Sequence, residues 1–442
     1  MAADLPISDA DVAELFAGLA RYRLLVLAVS GGSDSVALMH LVARWRRMTA
    51  TAPIIHVASV DHRLRTGSRD DAEWVATEAS TLGMPAHVLT WHGDKPDAGI
   101  QEAARSARYE LLAGLLRELA EDDAALVTAH TADDQAETLL MRLARGSGID
   151  GLAAMPERRR LLPDAPFDLV RPLLRVPKQS LLATLRASGL GWREDPSNAR
   201  LQFERVRLRA AAATLAELGL TVEKLALSAH RLQRARGAVD ASSADFQSRA
   251  LDLNDGAFAA IDRRLFAAAP EELRLRLMLR VLDRFGGASP PARLAKVEAL
   301  VARLADTERF SATLGGCAVA ALPGQIQVYR EAGRITQPES RLREAEAVTW
   351  DSRFRVSVAG LSRQVRHVTV KPLGGQAYAS LRRTTGARLP SRIAAGLPAF
   401  WAGSELLAVP ALSGASKIEK LAPDLTFHAN FLGLPEDLRI SD

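Results

Sequence analysis

Between residues 24 and 130, short apolar runs alternate with stretches whose apolar positions recur every three to four residues. The runs at 24–29, 53–60, 86–91 and 124–129 have the length and content of buried strands. Residues 36–47, 70–82 and 99–120 read as helices, the last with Ile100, Ala103, Ala107, Leu111, Leu112 and Leu115 at helical spacing, and 9–20 reads as a short helix leading into the first strand. Strands alternating with helices predict an α/β domain with a doubly wound parallel sheet. Such sheets bind ligands beyond the carboxyl ends of their strands. Three polar clusters fall there, at 30–35, 61–65 and 130–137.

Farther on the pattern changes. Residues 146–151 read as a glycine-rich loop, 171–174 as a short extended piece, and the chain from Pro177 as helical with a break at 194–198. Residues 201–236, rich in Arg and Ala, are expected to be helical, as are 274–283 and 291–305, with no sheet-like alternation before Ser311. Strand-like runs appear at 325–330, 366–370 and 406–409, the last two beyond a polar stretch at 336–346. Three domains are expected: an α/β domain over 1–215, a helical domain over 216–340 and a small α+β domain over 345–442.

Composition narrows the class. A chain of 442 residues with 48% hydrophobic and 25% charged residues is globular and too long for one core. A net charge of +5, a pI near 9.6 and more arginine than lysine suit a polyanionic partner, although genome-wide bias also produces basic chains. The single cysteine, Cys317, excludes an internal disulfide framework and an all-cysteine metal site. The acidic N-terminus lacks the order of a signal peptide, and no apolar run reaches membrane-spanning length, so a soluble cytoplasmic protein without a membrane partner is expected.

The densest chemistry is Ser30-Gly31-Gly32-Ser33-Asp34-Ser35, between a strand and a helix start. Two glycines let the backbone turn and approach a ligand, the free N–H groups of the helix start favour an anion, and Asp34 can hold a divalent cation. The plainer reading is that Ser33 or Asp34 caps the helix. The lysine of a Walker loop is absent. At His130-Thr131-Ala132-Asp133-Asp134-Gln135-Ala136-Glu137 three carboxylates crowd a second helix start. They can serve the helix dipole alone, but facing Asp34 across the sheet edge they suit a cation or an amine.

The hexapeptide resembles the pyrophosphate loop of the N-type ATP pyrophosphatases. Four further motifs bring the resemblance to one family among them, the tRNA(Ile)-lysidine synthases: Asp61-His62-x-Leu64-Arg65; Gln101-Glu102-x-x-Arg105 with Arg108-Tyr109; Ala129-His130-x-x-Asp133-Asp134-Gln135-x-Glu137-Thr138; and Arg171-Pro172-Leu173-Leu174 followed by Asp195, Ser197, Asn198, Arg205 and Arg209. Thr131 stands where many members have a second histidine, and Val206 follows Arg205 where many have asparagine.

The resemblance implies an adenine nucleotide alpha hydrolase-like sheet and a two-step reaction. ATP with Mg²⁺ adenylates the carbon-2 oxygen of the wobble cytidine in tRNA(Ile) with a CAU anticodon, and free L-lysine then displaces AMP through its ε-amino group. It assigns Ser30, Gly31, Gly32, Ser33, Asp34 and Ser35 to ATP, and Asp34 with Asp133 to the metal, Asp134 being the alternative to Asp133. Asp34, Asp133, Asp134, Arg105 and Arg205 form the catalytic set, the arginines meeting negative charge that develops during transfer. His62, Arg65, Arg108, His130, Glu137 and Arg209 bind substrates, with Asp134 or Glu137 on the lysine ammonium. The helical and C-terminal domains would hold the tRNA, the latter around residues 397–410 with Lys371, Arg382, Arg383, Arg388 and Arg392 on phosphates. A homodimer stays open. Thiolating and amide-transferring relatives would need cysteines that the chain lacks, and a non-catalytic RNA binder would need neither the loop nor the paired aspartates.

Overall fold

The computed structural model describes residues 5–93, 95–96, 98–120, 122–162, 165–193, 204–306, 309–336, 339–361, 367–385, 387–412 and 425–434. The chain divides into two compact units, Met1–Gly237 and Ala238–Asp442.

The first unit is built on a six-stranded sheet. In chain order it comprises α1 (Asp9–Phe16), β1 (Leu24–Ala28), α2 (Ser33–Met48), β2 (Ile54–Asp61), α3 (Ser68–Thr81), β3 (Ala86–Thr90), α4 (Ile100–Leu119), β4 (Ala124–Val127), α5 (Ala132–Ala144), α6 (Ile149–Leu152), β5 (Arg158–Arg160), β6 (Asp168–Val170) and α7 (Lys178–Ala187). The chain then forms α8 (Glu204–Ala210), α9 (Ala212–Glu217) and α10 (Val222–Ala250). The sheet order is β3-β2-β1-β4-β6-β5, parallel except for β5. β1 shows why both faces must be covered: Leu25 and Leu27 pack with Val12, Phe16, Val36, Val42, Val75 and Leu181, whereas Leu24 and Val26 pack with Leu112, Leu116 and Phe167. Each such leucine, fully buried, contributes about 1.5–3 kcal/mol. The doubly wound parallel sheet is therefore present. Its direction of winding reverses between β1 and β4, and ligand crevices in open α/β sheets form at such a switch point.

Several local expectations shift. The 9–20 helix ends at Phe16 and tightens into a 3-10 turn over Ala17–Arg21, a stretch that includes the poor helix former Gly18. The extended piece expected at 171–174 lies at Asp168–Val170, because Pro172 has no N–H to continue a ladder. Edge strand β5, three arginines, offers no apolar alternation to read. The 146–151 loop closes with the single helical turn α6. Of the helix expected over 201–236, residues 201–203 lie outside the described residues and the rest divides into α8, α9 and α10, the second break falling at Gly219, which adopts φ +83°.

In the second unit the expectation of no strand before Ser311 fails. β7 (Leu251–Asp252) and β8 (Ala259–Asp262) join β9 (Phe310–Leu314), β10 (Cys317–Leu322) and β11 (Gln325–Arg330) in an antiparallel sheet ordered β7-β8-β11-β10-β9. Two- and four-residue strands are too short to display a period. Helices Arg263–Ala268, Glu271–Phe285 and Leu294–Asp306 belong with this sheet, their Phe266, Leu277, Val281, Val297 and Leu304 sharing one core with Val319 and Val328. Cys317 is wholly buried there, its thiol pushed up to about 12 by burial. A second core lies between an antiparallel sheet of β12 (Ser340–Leu342), β15 (Val368–Pro372), β16 (Pro398–Ala402) and β17 (Glu405–Ala408) and a third antiparallel sheet of β13 (Ala347–Trp350), β14 (Phe354–Ala359) and β18 (Thr426–Phe431). Buried Asp351 accepts from Nε and a terminal nitrogen of Arg330, each at 2.9 Å, and from Nε of Arg353 at 2.8 Å. No helix among the described residues is long and apolar enough to cross a membrane.

Candidate active site

The turn after β1 is held open toward the crevice by its own serines. Ser35 Oγ donates to the Gly32 carbonyl at 2.9 Å and accepts from the Ser30 N–H at 3.2 Å, and Gly31 takes φ +88°. The N-cap of α2 is Gly32, with no side-chain capping bond. Neither Ser33 nor Asp34 caps the helix, so its first N–H groups remain for an anion. Arg193, after α7, donates its N–H to the Gly31 carbonyl at 2.9 Å, pinning the loop, and itself lines the crevice.

The second helix start is built differently. Thr131 caps α5 in a reciprocal box: its N–H donates to Asp134 Oδ2 at 2.9 Å, and its hydroxyl accepts from the Asp134 N–H at 3.5 Å. At this site threonine in place of histidine is a cap, and Asp134 serves the helix as well as the crevice. Asp133 and Asp34 meet through Lys178, the first residue of α7: its N–H donates to Asp133 Oδ2 at 2.8 Å and its Nζ to Asp34 Oδ2 at 3.0 Å. Burial raises the pKa of Asp133, and the nearby Asp134 and Asp34 add to that. Glu137 is gripped by Arg209 of α8, with Nε to Oε1 at 2.5 Å, while a terminal nitrogen of Arg209 lies 3.9 Å from Asp134. Burial opposes the charge on Arg209, but the bond to Glu137 and the attraction of Glu137, Asp134 and Asp34 outweigh it and raise its pKa.

These elements enclose a cavity of about 900 Å³, large enough for a nucleotide with part of a second substrate. Ser30, Gly32, Ser33, Asp34, Ser35, His62, Arg108, His130 and Arg209 of the expected set line it, with Lys178. Gly31, Arg105, Asp133, Asp134 and Glu137 are not among its lining residues, and Arg65 turns to an ion pair with Asp71. Asp61 accepts from the Arg63 N–H and the Ser68 hydroxyl, ordering the turn after β2. The side chain of Arg205, together with Asp195, Ser197 and Asn198, lies outside the described residues. His130 is lowered to about 4 by burial, with Arg171, Arg108 and Arg105 pushing the same way against Asp134. It is a neutral imidazole bonded to the Thr128 hydroxyl at 2.9 Å. Burial, then Arg108, also lowers His62. Sequence reasoning missed Lys178. The readable signal was a cation at the first position of a helix, which opposes the dipole unless an anion lies near.

Residues 6–215 match the family model of the PP-loop domain. The fold and the uncapped loop thus define the first unit as a PP-loop nucleotide-binding domain. The chain is 45% identical over 360 residues to a tRNA(Ile)-lysidine synthase of Bradyrhizobium sp. (strain BTAi1), covering 77% of this chain and 98% of that one. It is 38% identical over 394 residues, 88% of each chain, to the tRNA(Ile)-lysidine synthase of Ruegeria pomeroyi, and 31% identical over 423 residues, 90% of this chain and 88% of the relative, to that of Brucella canis. The protein belongs to the tRNA(Ile)-lysidine synthase family.

Among the described residues no three metal-ligating side chains converge. Asp34 and Asp133 nonetheless both bond Lys178, Asp34 at its ammonium and Asp133 at its backbone N–H, and the charge of Asp34 acts on Asp133; two neighbouring carboxylates completed by phosphate oxygens are a habitual setting for Mg²⁺. The residues present fit that ion.

Proposed function

We propose that this chain joins free L-lysine to carbon-2 of the wobble cytidine of tRNA(Ile) with a CAU anticodon. The observation that carries the reading is the uncapped start of α2, which opens with Asp34 into the same cavity as His62, Arg108 and His130. In the first step the cytidine oxygen attacks the α-phosphorus of ATP and pyrophosphate leaves. In the second the neutral ε-amine of lysine attacks carbon-2, and AMP departs with the original oxygen.

The loop N–H groups and serines bind the leaving pyrophosphate. Asp34 and Asp133 would hold Mg²⁺, which when bound neutralises phosphate charge. His130, uncharged at neutral pH, hydrogen-bonds without adding charge. The Glu137–Arg209 pair presents both signs in one place, as an amino acid zwitterion requires: Arg209 suits its carboxylate, and Glu137 or Asp134 its ammonium. Arg205 meets the charge that develops on transfer, whereas Arg105, expected to share that role, is not among the residues lining the cavity. Functionally, 1–215 performs the chemistry while 216–340 and 345–442 hold the tRNA, and the substrates assign the protein to the cytoplasm. Incubation with radiolabelled lysine and an unmodified transcript should give ATP-dependent label in the tRNA that vanishes when the wobble cytidine is replaced by uridine. Label that persists in the uridine transcript would refute the target.

A further inference from the structure

Tyr109, on the buried side of α4, is 6% exposed, and three guanidiniums stand around its ring: those of Arg105 and Arg108 at 5.2 Å from the centroid and that of Arg159 at 5.7 Å. A fourth, Arg171, is 2% exposed and acts on the phenol through its charge. Among the described residues none of the four is in an ion pair with a carboxylate, whereas Arg209, Arg276, Arg330 and Arg353 all are. Backbone carbonyls fix two of them: Arg159 donates to the carbonyls of Arg160 at 2.7 Å and Leu161 at 3.2 Å, and Arg171 to that of Pro156 at 2.9 Å. Nε of Arg171 and the Tyr109 hydroxyl are buried without a partner at hydrogen-bonding geometry, although Tyr109 is close enough to act on Arg171 as a weak acceptor. Burial raises the pKa of Tyr109, yet the arginines outweigh it and lower the pKa below its ordinary value. Four positive charges held together beside unsatisfied polar atoms call for an anion.

Location says which anion. Arg108 lines the nucleotide cavity; Arg105, Arg159, Arg171 and Tyr109 do not. The cluster therefore shares Arg108 with the cavity wall and continues outside its lining, although the charges of Arg171, Arg108 and Arg105 still act on His130 in that wall. We propose that Arg105, Arg108, Arg159 and Arg171 form a second phosphate site, which binds a backbone phosphodiester of the RNA strand beside the reacting nucleotide. Guanidinium forks match phosphate oxygens in pairs, and such contacts set the register of a strand without reading its bases. The identity of the RNA rests on the function proposed above; the site for its phosphate does not.

The test uses the full chain, an unmodified tRNA(Ile) transcript with a CAU anticodon, and ATP without RNA. Arg159→Gln and Arg159→Ala should each lower the slope of log affinity against log salt by about 0.7, the single-strand value for one phosphate. They should leave the affinity for ATP unchanged. A methylphosphonate at the phosphodiester 5′ to the wobble nucleotide should weaken binding to the unmodified protein and add no further loss to either variant, a comparison that does not depend on the variants folding perfectly. Weaker ATP binding with an unchanged tRNA slope would overturn the proposal in favour of a nucleotide phosphate. An unchanged slope with unchanged ATP affinity would overturn it outright, even if lysine is incorporated. A reduced slope in a protein that incorporates no lysine would sustain the site while the functional reading fell.

Discussion

Asp34 and Asp134 occupy the first turns of two helices that start at the same sheet edge, yet they do different work. Asp34 leaves its helix uncapped and is bonded to Lys178, with its side chain 25% exposed, whereas Asp134 closes a capping box. Asp34→Ala should therefore abolish adenylation, read as pyrophosphate release, with little change in urea midpoint and near-normal tRNA binding. Asp134→Ala should lose activity and about 1 kcal/mol of stability together; an unaltered midpoint would deny it the capping role. His130 supplies a pH test. Its pKa falls from an ordinary 6.5 to about 4, so between these values the unfolded chain takes up a proton that the native state refuses. Its contribution is complete above pH 6.5 and is lost as pH falls toward 4, by up to about 3 kcal/mol. His130→Gln should flatten that part of the stability curve relative to the unmodified protein. At this scale the motif residues were legible because their types and order are specific. Lys178 was not, because its partner Asp34 is 144 positions away.

Among the elements, the loop between β1 and α2 depends on Gly31. A Cβ there would meet Arg193 and Val75 only at ordinary contact distance, 3.5 Å, so space does not demand glycine; the φ of +88° does. Gly31→Ala should cost about 1–2 kcal/mol through the left-handed backbone, and relaxation of that strain should displace the loop N–H groups. ATP affinity, measured by titration calorimetry, should fall about tenfold or more, equivalent to about 1.4 kcal/mol. Unchanged affinity would mean that the loop does not hold the phosphates. The strands and helices of the first unit were legible where a run was long enough to show its period, as in β1 and α4. β5, β7 and β8 were not: three arginines, or a strand of two or four residues, carry no alternation, and only their neighbours make them strands.

At the scale of the whole molecule, the PP-loop site and the proposed second phosphate site lie in the first unit, and most of the residues proposed to hold the rest of the tRNA lie in the second. Within the second unit Asp351, wholly buried between Arg330 and Arg353, joins β11 to the turn between β13 and β14, across the boundary near 340 that the sequence suggested. Gly287 packs so closely that an added Cβ would lie 2.6 Å from the Asp351 carbonyl oxygen. Asp351→Asn should leave two buried guanidiniums without their counter-charge and destabilise this unit by about 3–5 kcal/mol. Denaturant unfolding should then show an early phase, with ATP binding retained and tRNA affinity reduced; loss of ATP binding would show that the units do not act separately. The α/β class and the placement of the site at the strand ends were legible from pattern alone, whereas long-range pairs such as Arg330 with Asp351 leave no trace in periodicity. The most direct test of the central claim is the mass of the wobble nucleoside recovered from tRNA(Ile) incubated with the protein, ATP, Mg²⁺ and lysine. A nucleoside heavier than cytidine by one lysine less one water, absent with Asp34→Ala, is the expected result. An unmodified cytidine, with ATP nevertheless cleaved to AMP and pyrophosphate, would contradict it.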